Sequence, residues 1–314
     1  MNLAVGVDIG GTKIAAGLVA SSGVLLATAA RPTPAVRGRD AILDTVTALV
    51  RELLTTRPGD GDVVAVGVGS AGVVDPRRGV VLSATRALAG WAGTDLRGEL
   101  SRRLGLRVAV DNDVHAHALG EQWRGAAAGR RDVLLVTVGT GVGASIVLDG
   151  RIRHGAHSVA GHAGHMTVAA AAGRPCPCGG RGHVEAVASG PALLGEYSRR
   201  TGTDSPDLTE VARLAADGDP VAGAVLAEGG AALGSMIGGL VNVIDPEIVV
   251  IGGGVAGCGE PWWRAVRETI GAEVLPALRD IPVEPAALGG SAALLGAARM
   301  AFAAARDREP SATS

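Results

Sequence analysis

One strand–turn–strand pattern occurs twice in this chain, and the repetition restricts the fold more than any other feature. The segments VDIGGTKIAAGLV (residues 7–19) and VTVGTGVGASIVL (residues 136–148) align without a gap at an offset of 129 residues. In each, a short run of β-branched and apolar residues leads into glycines, and a second such run follows, which predicts two strands joined by a tight turn. A unit repeated in this way predicts a duplicated sheet.

The residues around the repeat predict alternating helices and strands. Apolar positions three and four residues apart predict an amphipathic helix over residues 40–56, with one apolar face formed by Ile42, Leu43, Val46, Leu49, Val50 and Leu53. Short apolar runs predict further strands at residues 63–72, 106–113 and 245–256. Helices are predicted at residues 94–104, from Asp113, across 191–244 and at 289–307. The chain is therefore predicted to be α/β.

The composition is that of a globular protein and excludes several classes. Hydrophobic residues make up 47% and charged residues 19% of the 314 residues, and the net charge is −2. This balance gives no general attraction to nucleic acid or to an anionic membrane. The N-terminus lacks a basic segment before its apolar run, and three cysteines make no disulfide framework. We therefore expect a cytoplasmic protein with no nucleic-acid or membrane partner.

The glycines of the two repeated turns predict phosphate binding. Glycine has no Cβ and tolerates positive φ, so backbone N–H groups beside it can approach phosphate oxygens closely. The first turn also carries Lys13, the only lysine of the sequence. For either turn taken alone, an ordinary glycine hairpin is the alternative.

A third glycine cluster mimics a dinucleotide-binding fingerprint. Gly67, Gly69 and Gly72 follow a predicted strand with the spacing G-x-G-x-x-G. That fingerprint must open a helix, whereas the residues that follow here, VVDPRRGVVLS, include a proline and several β-branched residues. We therefore reject a dinucleotide site at this position.

Seven motifs, in order along nearly the whole chain, resemble those of the ROK family of repressors and sugar kinases: DIGGTK (8–13), GVGSAGVVD (67–75), VDNDVHAHALGE (110–121), VTVGTGVGASIV (136–147), AGHAGHM (160–166), CPCGGRGHVE (176–185) and IDPEIVVIGGG (244–254). The resemblance implies a two-lobed, actin/hexokinase-like (ribonuclease H-like) fold with a duplicated sheet. We expect a first lobe of residues 1–118 with helix 289–307 packed on it, a second lobe of residues 119–288, and a disordered tail at 308–314.

The resemblance also implies an ATP- and Mg²⁺-dependent kinase acting on the 6-hydroxyl of a sugar, with polyphosphate as the alternative donor. Asp113 is then the catalytic base, and Asp8 holds Mg²⁺ through water. Asp111 is the competing carboxylate, because either aspartate of VDND suits a helix cap. The implied nucleotide site comprises Asp8, Gly10, Gly11, Thr12, Lys13, Gly139, Thr140, Gly141, Gly143, Gly252, Gly253 and Gly254. The implied sugar site comprises Gly72, Asn112, Asp113, His162, His165 and Glu185.

A structural zinc site is the next expectation from the resemblance. The family pattern has one histidine and the run C-x-C-G-x-x-G-C, and this chain has His183 in place of the last cysteine. The implied ligands are His165, Cys176, Cys178 and His183, a set that Zn²⁺ accepts and that leaves no open position. A reduced loop without metal is the alternative.

The residue that departs most informatively from the family pattern is His162. ROK glucokinases read A-G-E-x-G-H at this point, and this chain reads AGHAGH, which resembles the N-acetylmannosamine kinases of the family. An imidazole is bulkier than a carboxylate and can donate a hydrogen bond. We therefore expect N-acetylmannosamine as the preferred sugar, with a glucokinase that tolerates His162 as the alternative.

Four histidines have no place in these sites: His115, His117, His154 and His157. His115 and His117, two residues apart, cannot share one helix face, and we interpret all four as pocket-edge or surface residues. The alternatives to a kinase are a sugar-binding sensor and a repressor. We expect no helix-turn-helix, because the first strand begins at about residue 3. Like many relatives, the protein is expected to be a homodimer.

Overall fold

The computed structural model describes residues 1–59, 61–84, 88–205 and 207–306, which form two compact units. The first unit contains residues 1–129, residues 154–159 and the C-terminal segment from Ala287, and the second contains residues 130–153 and 160–286. The predicted boundary at residue 118 differs from this division, because the helix that begins at Asp113 continues to Arg124 within the first unit. The predicted tail, residues 308–314, lies outside the described residues.

The elements alternate along the chain as the sequence predicts. The strands are β1 (Asn2–Ile9), β2 (Lys13–Ala20), β3 (Leu25–Pro32), β4 (Asp62–Ser70), β5 (Val73–Asp75), β6 (Val80–Ser83), β7 (Val108–Asn112), β8 (Val133–Val138), β9 (Val142–Leu148), β10 (Arg151–Ile152), β11 (Ile248–Gly252) and β12 (Val283–Pro285). The helices are α1 (Arg39–Thr55), α2 (Leu96–Leu104), α3 (Asp113–Arg124), α4 (Glu185–Ala188), α5 (Gly190–Thr201), α6 (Leu208–Ala216), α7 (Pro220–Ile244), α8 (Glu260–Glu273) and α9 (Ala292–Arg306).

The duplicated sheet predicted from the repeat is confirmed. The first unit has the strand order β3-β2-β1-β4-β7 and the second has β10-β9-β8-β11-β12. In each order the first three strands pair antiparallel and the last three pair parallel. The gapless alignment is wrong after the turn. Ile9 pairs with Ile14, but Val138 pairs with Val142, so the second turn is one residue shorter and its returning strand is shifted by one position.

Two further predictions have clear outcomes. All six residues on the predicted apolar face of helix 40–56 are buried on α1, which confirms its orientation. The glycines of the G-x-G-x-x-G cluster end β4 and lead into β5 rather than into a helix, so the rejection of a dinucleotide fingerprint is also confirmed.

The predicted helical region 191–244 contains three helices, α5, α6 and α7. By length and composition α7 is apolar enough to cross a membrane, but most of it is buried inside the second unit. Gly230, Gly234 and Gly238 form a stripe on α7 where an added Cβ would meet α8 within 2.8 Å. Close packing against α8 therefore accounts for the small, apolar composition of this helix.

Glycines also let α9 lie directly on the first sheet. A Cβ on Gly6 of β1 would lie 1.9 Å from the carbonyl oxygen of Leu294, and one on Gly67 of β4 would lie 1.7 Å from that of Ala297. On its other side α9 contacts α3, where a Cβ on Gly296 would lie 1.7 Å from the carbonyl oxygen of Ala116. Backbone thus touches backbone on both faces of α9, which leaves no room for any side chain at these positions.

We predict that Gly67→Ala lowers the free energy of unfolding by about 3 kcal/mol or more, because the new methyl group must displace the backbone of α9. Urea unfolding of the full chain measures the change. Gly195→Ala is the matched control, since Gly195 is an exposed residue within α5 and an added Cβ meets nothing within 4 Å. This control should be neutral or stabilise by up to about 1 kcal/mol. Equal effects of the two substitutions would contradict the packing argument.

Candidate active site

The carboxyl ends of β1, β4 and β7 bring the acidic residues of the first unit together. These strands are parallel, and their register places Asp8 beside Gly69 and Gly69 beside Asp111. Gly69 offers no side chain, and a Cβ there would lie 3.3 Å from the Cα of Asp113. Asp8 and Asp113 are consequently close enough to interact.

The electrostatic environment of Asp8 is unusual for an aspartate. Burial, first, and the nearby charge of Asp113, second, raise the pKa of Asp8 from 3.8 to about 7, and Lys13 partly offsets these effects. A carboxylate held in this way is a good candidate for a cation ligand, because a bound cation removes the cause of its instability.

Asn112, rather than either neighbouring aspartate, caps α3. Its side-chain oxygen accepts hydrogen bonds from the backbone N–H groups of Val114 (2.9 Å) and His115 (3.3 Å). Its amide nitrogen donates to the carbonyl oxygen of Gly72 at 2.9 Å, so the predicted sugar residues Gly72 and Asn112 are in direct contact. Asp113, the first residue of α3, is half-buried.

Hydrogen bonds to backbone carbonyl groups fix the first glycine turn, which joins β1 and β2. The N–H of Gly10 donates to the carbonyl oxygen of Lys13 at 3.1 Å. Thr33, just after β3, donates its hydroxyl to the carbonyl oxygen of Gly10 and its N–H to that of Thr12. Gly11, Thr12 and Lys13 are exposed. The backbone of the turn is therefore fixed by hydrogen bonds, while Lys13 and the two residues before it are exposed to solvent.

The second glycine turn lines a cavity of about 570 Å³ in the second unit. Gly139 and Thr140 of the turn lie at one side, and Gly254 lies in the short helical turn after β11. The N-terminus of α5 joins them, because the N–H of Gly190 donates to the carbonyl oxygen of Gly139 at 2.8 Å. Of the other predicted nucleotide residues here, Gly143 and Gly252 belong to β9 and β11, Gly141 belongs to the turn, Gly253 follows β11, and none of the four lines the cavity.

Sequence reasoning missed most of the cavity. Its remaining lining comes from α5, α6 and the turn after β11: Gly190, Pro191, Leu208, Thr209, Ala212, Val255, Gly257 and Cys258. The pair Ser189 and Pro191 carries a local signal, since a serine cap and an early proline mark a helix N-terminus, where the helix dipole places partial positive charge. The residues of α6 carry no such signal, because only the tertiary fold brings them to the cavity.

Glu185, the first residue of α4, links the second glycine turn to the cysteine loop. Its Oε2 accepts a hydrogen bond from the N–H of Val142 at 2.9 Å. Its Oε1 lies 3.7 Å from the Sγ of Cys176, which donates to it. A Cβ on Gly141 would lie 2.7 Å from Oε2, so this glycine lets the carboxylate reach the turn.

The four predicted zinc ligands do converge. One ligand atom from each of His165, Cys176, Cys178 and His183 lies within 4.8 Å of all the others. The Sγ of Cys178 is 3.2 Å from Nδ1 of His183, and the Sγ of Cys176 is 3.9 Å from Nδ1 of His165. Burial raises the pKa of the Cys176 thiol to about 11. The donor set and its spacing fit a tetrahedral Zn²⁺ ion.

His162 lies next to this cluster. Its ring stacks on that of His165, with 6.3 Å between centroids and 28° between the planes. The segment around it packs tightly on β9, because the N–H of Ala144 donates to the carbonyl oxygen of Gly161 and a Cβ on Gly164 would clash with Val142. The predicted specificity residue is thus positioned by the same segment that supplies His165.

The interpretation of the four remaining histidines as pocket-edge or surface residues is wrong for His115. His115 is buried, with 4% of its surface exposed, and its ring contacts that of His154 edge to face. His154 in turn hydrogen-bonds to the buried Asp111. Burial lowers the pKa of His117, and His157 is exposed. Helix periodicity alone could not show which face of α3 is covered by a segment from beyond β10.

Comparison with known proteins identifies relatives along the whole chain. The glucokinase of Streptomyces coelicolor is 34% identical over 323 residues, covering 96% of this chain and 98% of that protein. The N-acetylmannosamine kinase of Citrobacter koseri is 33% identical over 296 residues, covering 94% and 97%. A crystal structure of a ROK family glucokinase from Streptomyces griseus, in complex with glucose and AMPPNP, superimposes with a TM-score of 0.82 at 34% identity and covers 96% of this chain and 99% of that one.

The match to these structures confirms the actin/hexokinase-like fold that the motifs predicted. The sequence profile of the ROK family matches residues 4–304, which include both sheets and every site described above. The chain belongs to the ROK family.

Proposed function

We propose that this protein is an ATP-dependent sugar kinase that phosphorylates the 6-hydroxyl of an N-acylhexosamine, with N-acetylmannosamine preferred. The observation that carries this proposal is the pair of carboxylates at the carboxyl edge of the first sheet, where burial and the nearby charge of Asp113 raise the pKa of Asp8 to about 7. Phosphoryl transfer to a sugar needs one group to accept the hydroxyl proton and another to hold a divalent cation. Asp113 and Asp8 take these two roles in the proposal.

The second unit supports a nucleotide as the phosphoryl donor. A cavity of about 570 Å³ is of the size that small-molecule sites have, and its lining is mainly apolar with a few polar groups. The first amides of α5 are already used by Gly139 and Ser189, so the helix contributes its partial positive charge rather than N–H donors. Gly139 and Thr140 would then lie beside phosphates, and Gly254 beside the nucleoside.

Asp8 and the first glycine turn fit Mg²⁺ chemically, because carboxylate oxygens and water are the ligands that this ion prefers. When bound, Mg²⁺ neutralises charge on the phosphoryl oxygens. Lys13, exposed at the end of the same turn, supplies the first unit with a positive charge for the donor's phosphates.

The choice of sugar rests on His162. Sequence identity does not decide it, since the glucokinase and the N-acetylmannosamine kinase named above are 34% and 33% identical to this chain. A carboxylate at this position would only accept hydrogen bonds from sugar hydroxyls, whereas an imidazole N–H can also donate to the carbonyl oxygen of an acylamino group. Sites built around one hydrogen-bonding pattern discriminate strongly against the other.

We also propose that the cluster of Cys176, Cys178, His165 and His183 binds structural Zn²⁺. Zinc binding requires the thiolate form, so Cys176 would stop donating to Oε1 of Glu185. That oxygen is then available to accept from a sugar hydroxyl, while Oε2 keeps its hydrogen bond with Val142. The bound zinc would in this way help to orient Glu185 toward the sugar.

The first experiment measures ADP release by the purified chain with ATP and Mg²⁺ over glucose, mannose, N-acetylmannosamine, N-acetylglucosamine and fructose. We expect the highest kcat/KM with N-acetylmannosamine.

Asp113→Asn should lower kcat by about 10²–10⁴-fold while sugar binding persists, because the proton acceptor is lost. Asp62→Asn, exposed at the opposite end of β4, is the matched control and should keep full activity.

The outcomes of this assay separate the alternatives. A preference for glucose would overturn the role given to His162 and leave a glucokinase. Sugar binding without ADP release for any sugar would indicate a sensor and refute the kinase. Full activity of Asp113→Asn would refute the choice of base.

We predict that Asp8→Asn stabilises the Mg²⁺-free protein at pH 8, but not at pH 4. The folded chain keeps a proton on Asp8 up to about pH 7, whereas the unfolded chain loses it near pH 3.8, so stability falls as the pH rises between these values. Above pH 7 the full penalty of the buried charge is present, and the amide removes it. Thermal unfolding should show a midpoint higher by several degrees at pH 8. Asp62→Asn should show no such gain, and an unchanged midpoint in Asp8→Asn would contradict the raised pKa.

The zinc site is tested with Co²⁺, whose thiolate complexes absorb in the near ultraviolet by charge transfer. We expect the wild-type protein, loaded with Co²⁺ after chelator treatment, to show this band and Cys178→Ser to lose most of it. Cys258→Ser should retain the band, because Cys258 lines the cavity and lies outside the cluster. A band that persists in Cys178→Ser and disappears in Cys258→Ser would place the metal elsewhere.

A further inference from the structure

A second group of potential metal ligands lies within the first unit and has no role in the proposed phosphoryl transfer. It comprises Asp111 at the end of β7, His115 in the first turn of α3, and His154 in the segment 154–159. One ligand atom from each residue lies within 4.8 Å of the other two. Two side chains from the β7–α3 junction and one from a segment distant in sequence therefore meet at one point.

The two carboxylate oxygens of Asp111 have different hydrogen-bond partners. Oδ1 accepts a hydrogen bond from the N–H of Asn112 at 2.7 Å, which fixes the carboxylate plane. Oδ2 lies 2.7 Å from Nε2 of His154. A ligand carboxylate in a metal site is held in the same manner, with one oxygen anchored by the protein and the other directed at the ion.

The two imidazoles are arranged so that both can turn a nitrogen to one ion. Their rings lie 5.1 Å apart between centroids, with 89° between the planes. His115 is 4% exposed and Asp111 is nearly as buried, but 30% of the His154 side chain is accessible. Two buried ligands and one partly exposed ligand give an ion an entry path and leave room for water in a remaining position.

We propose that Asp111, His115 and His154 form a binding site for one divalent transition-metal ion. Two imidazole nitrogens and one carboxylate oxygen are borderline donors of the kind that suits Zn²⁺ and Co²⁺, whereas Mg²⁺ prefers oxygen alone. The ion replaces the proton shared by Asp111 and His154. With metal–ligand bonds of about 2.0–2.1 Å, those two atoms must separate from hydrogen-bond distance by about 0.5 Å, a movement that the partly exposed His154 can make.

This site is separate from the cysteine cluster and independent of the proposed kinase activity. It contains no thiol, and its ligands belong to the first unit, whereas the cysteine cluster belongs to the second. Asp111 lies at the end of β7, His115 lies in the first turn of α3, and His154 lies in the segment 154–159, so an ion held there ties this segment to the junction between β7 and α3. Metal binding should consequently stabilise this junction against unfolding.

The test counts zinc ions per chain. Full-length protein is stripped with a chelator, equilibrated with Zn²⁺, dialysed against metal-free buffer and measured by elemental analysis. His154→Gln should hold one ion fewer per chain than the wild type, and the glutamine amide keeps a donor for Asp111. His157→Gln, a change of an exposed histidine in the same segment, should hold as many ions as the wild type. Equal counts in the wild type and in His154→Gln would overturn the proposal.

A Co²⁺ spectrum shows whether the ion lost in His154→Gln comes from this site or from the cysteine cluster. The difference between the wild-type and His154→Gln spectra should contain visible bands of nitrogen- and oxygen-bound Co²⁺ and no thiolate charge-transfer band. A thiolate band in the difference would assign the lost ion to the cysteine cluster and contradict the site. Thermal unfolding of both metal-free proteins, with similar midpoints expected, shows that the variant is folded.

Discussion

The backbone contact of α9 with its neighbours is the constraint on which the first unit depends. Gly6 and Gly67 let the helix lie on the sheet, and Gly296 lets it touch α3 at Ala116. The position of α3 above the strand ends is therefore set by contacts with no adjustable side chain between them. Since α3 begins with Asp113, the same contacts determine how far that carboxylate lies from Asp8. Steric fit in the core thus sets how strongly the charge of Asp113 acts on Asp8, which after burial is the second cause of the raised pKa of Asp8.

Two carboxylates so close together lower the stability of the ligand-free protein. A structure optimised for stability alone would place an amide or an apolar residue at one of these positions. The unfavourable electrostatic energy is concentrated at Asp8. Burial and the charge of Asp113 raise the pKa of this carboxyl, and the charge of Lys13 partly offsets them. This arrangement is typical of sites where a ligand supplies the missing positive charge.

Much of this architecture follows from local sequence. The repeat predicted two related sheets, because each half must bury the same kind of hairpin. The periodicity of residues 40–56 predicted which face of α1 is buried. The shorter second turn could have been predicted, since the residues after it match better by hydropathy when shifted by one position, with Ile14 opposite Val142 rather than Gly143. The division of the chain after residue 129 rather than 118 has no local signal, because nothing in the sequence marks where the segment that follows α3 leaves the first unit.

For the candidate site, sequence reasoning succeeded where ligands lie on one loop and failed where they come from distant segments. Cys176, Cys178 and His183 lie within eight residues of one another, so their spacing alone restricts how they can meet. The lining from α6 and the contact between His115 and His154 depend on how helices and segments pack after folding. Burial of His115 is a tertiary effect that a helix pattern cannot indicate.

In the run VDND (residues 110–113), three consecutive side chains point in different directions and have different partners. Asp111 and Asn112 are the last two residues of β7, and strand alternation directs their side chains to opposite faces, one to His154 and the other to Gly72. Asp113 follows at the first position of α3, where the change from strand to helix gives its carboxylate a third direction. The two aspartates therefore do not compete for the role of helix cap. Asn112 caps the helix, and the backbone transition at this point leaves Asp113 as the carboxylate beside Asp8.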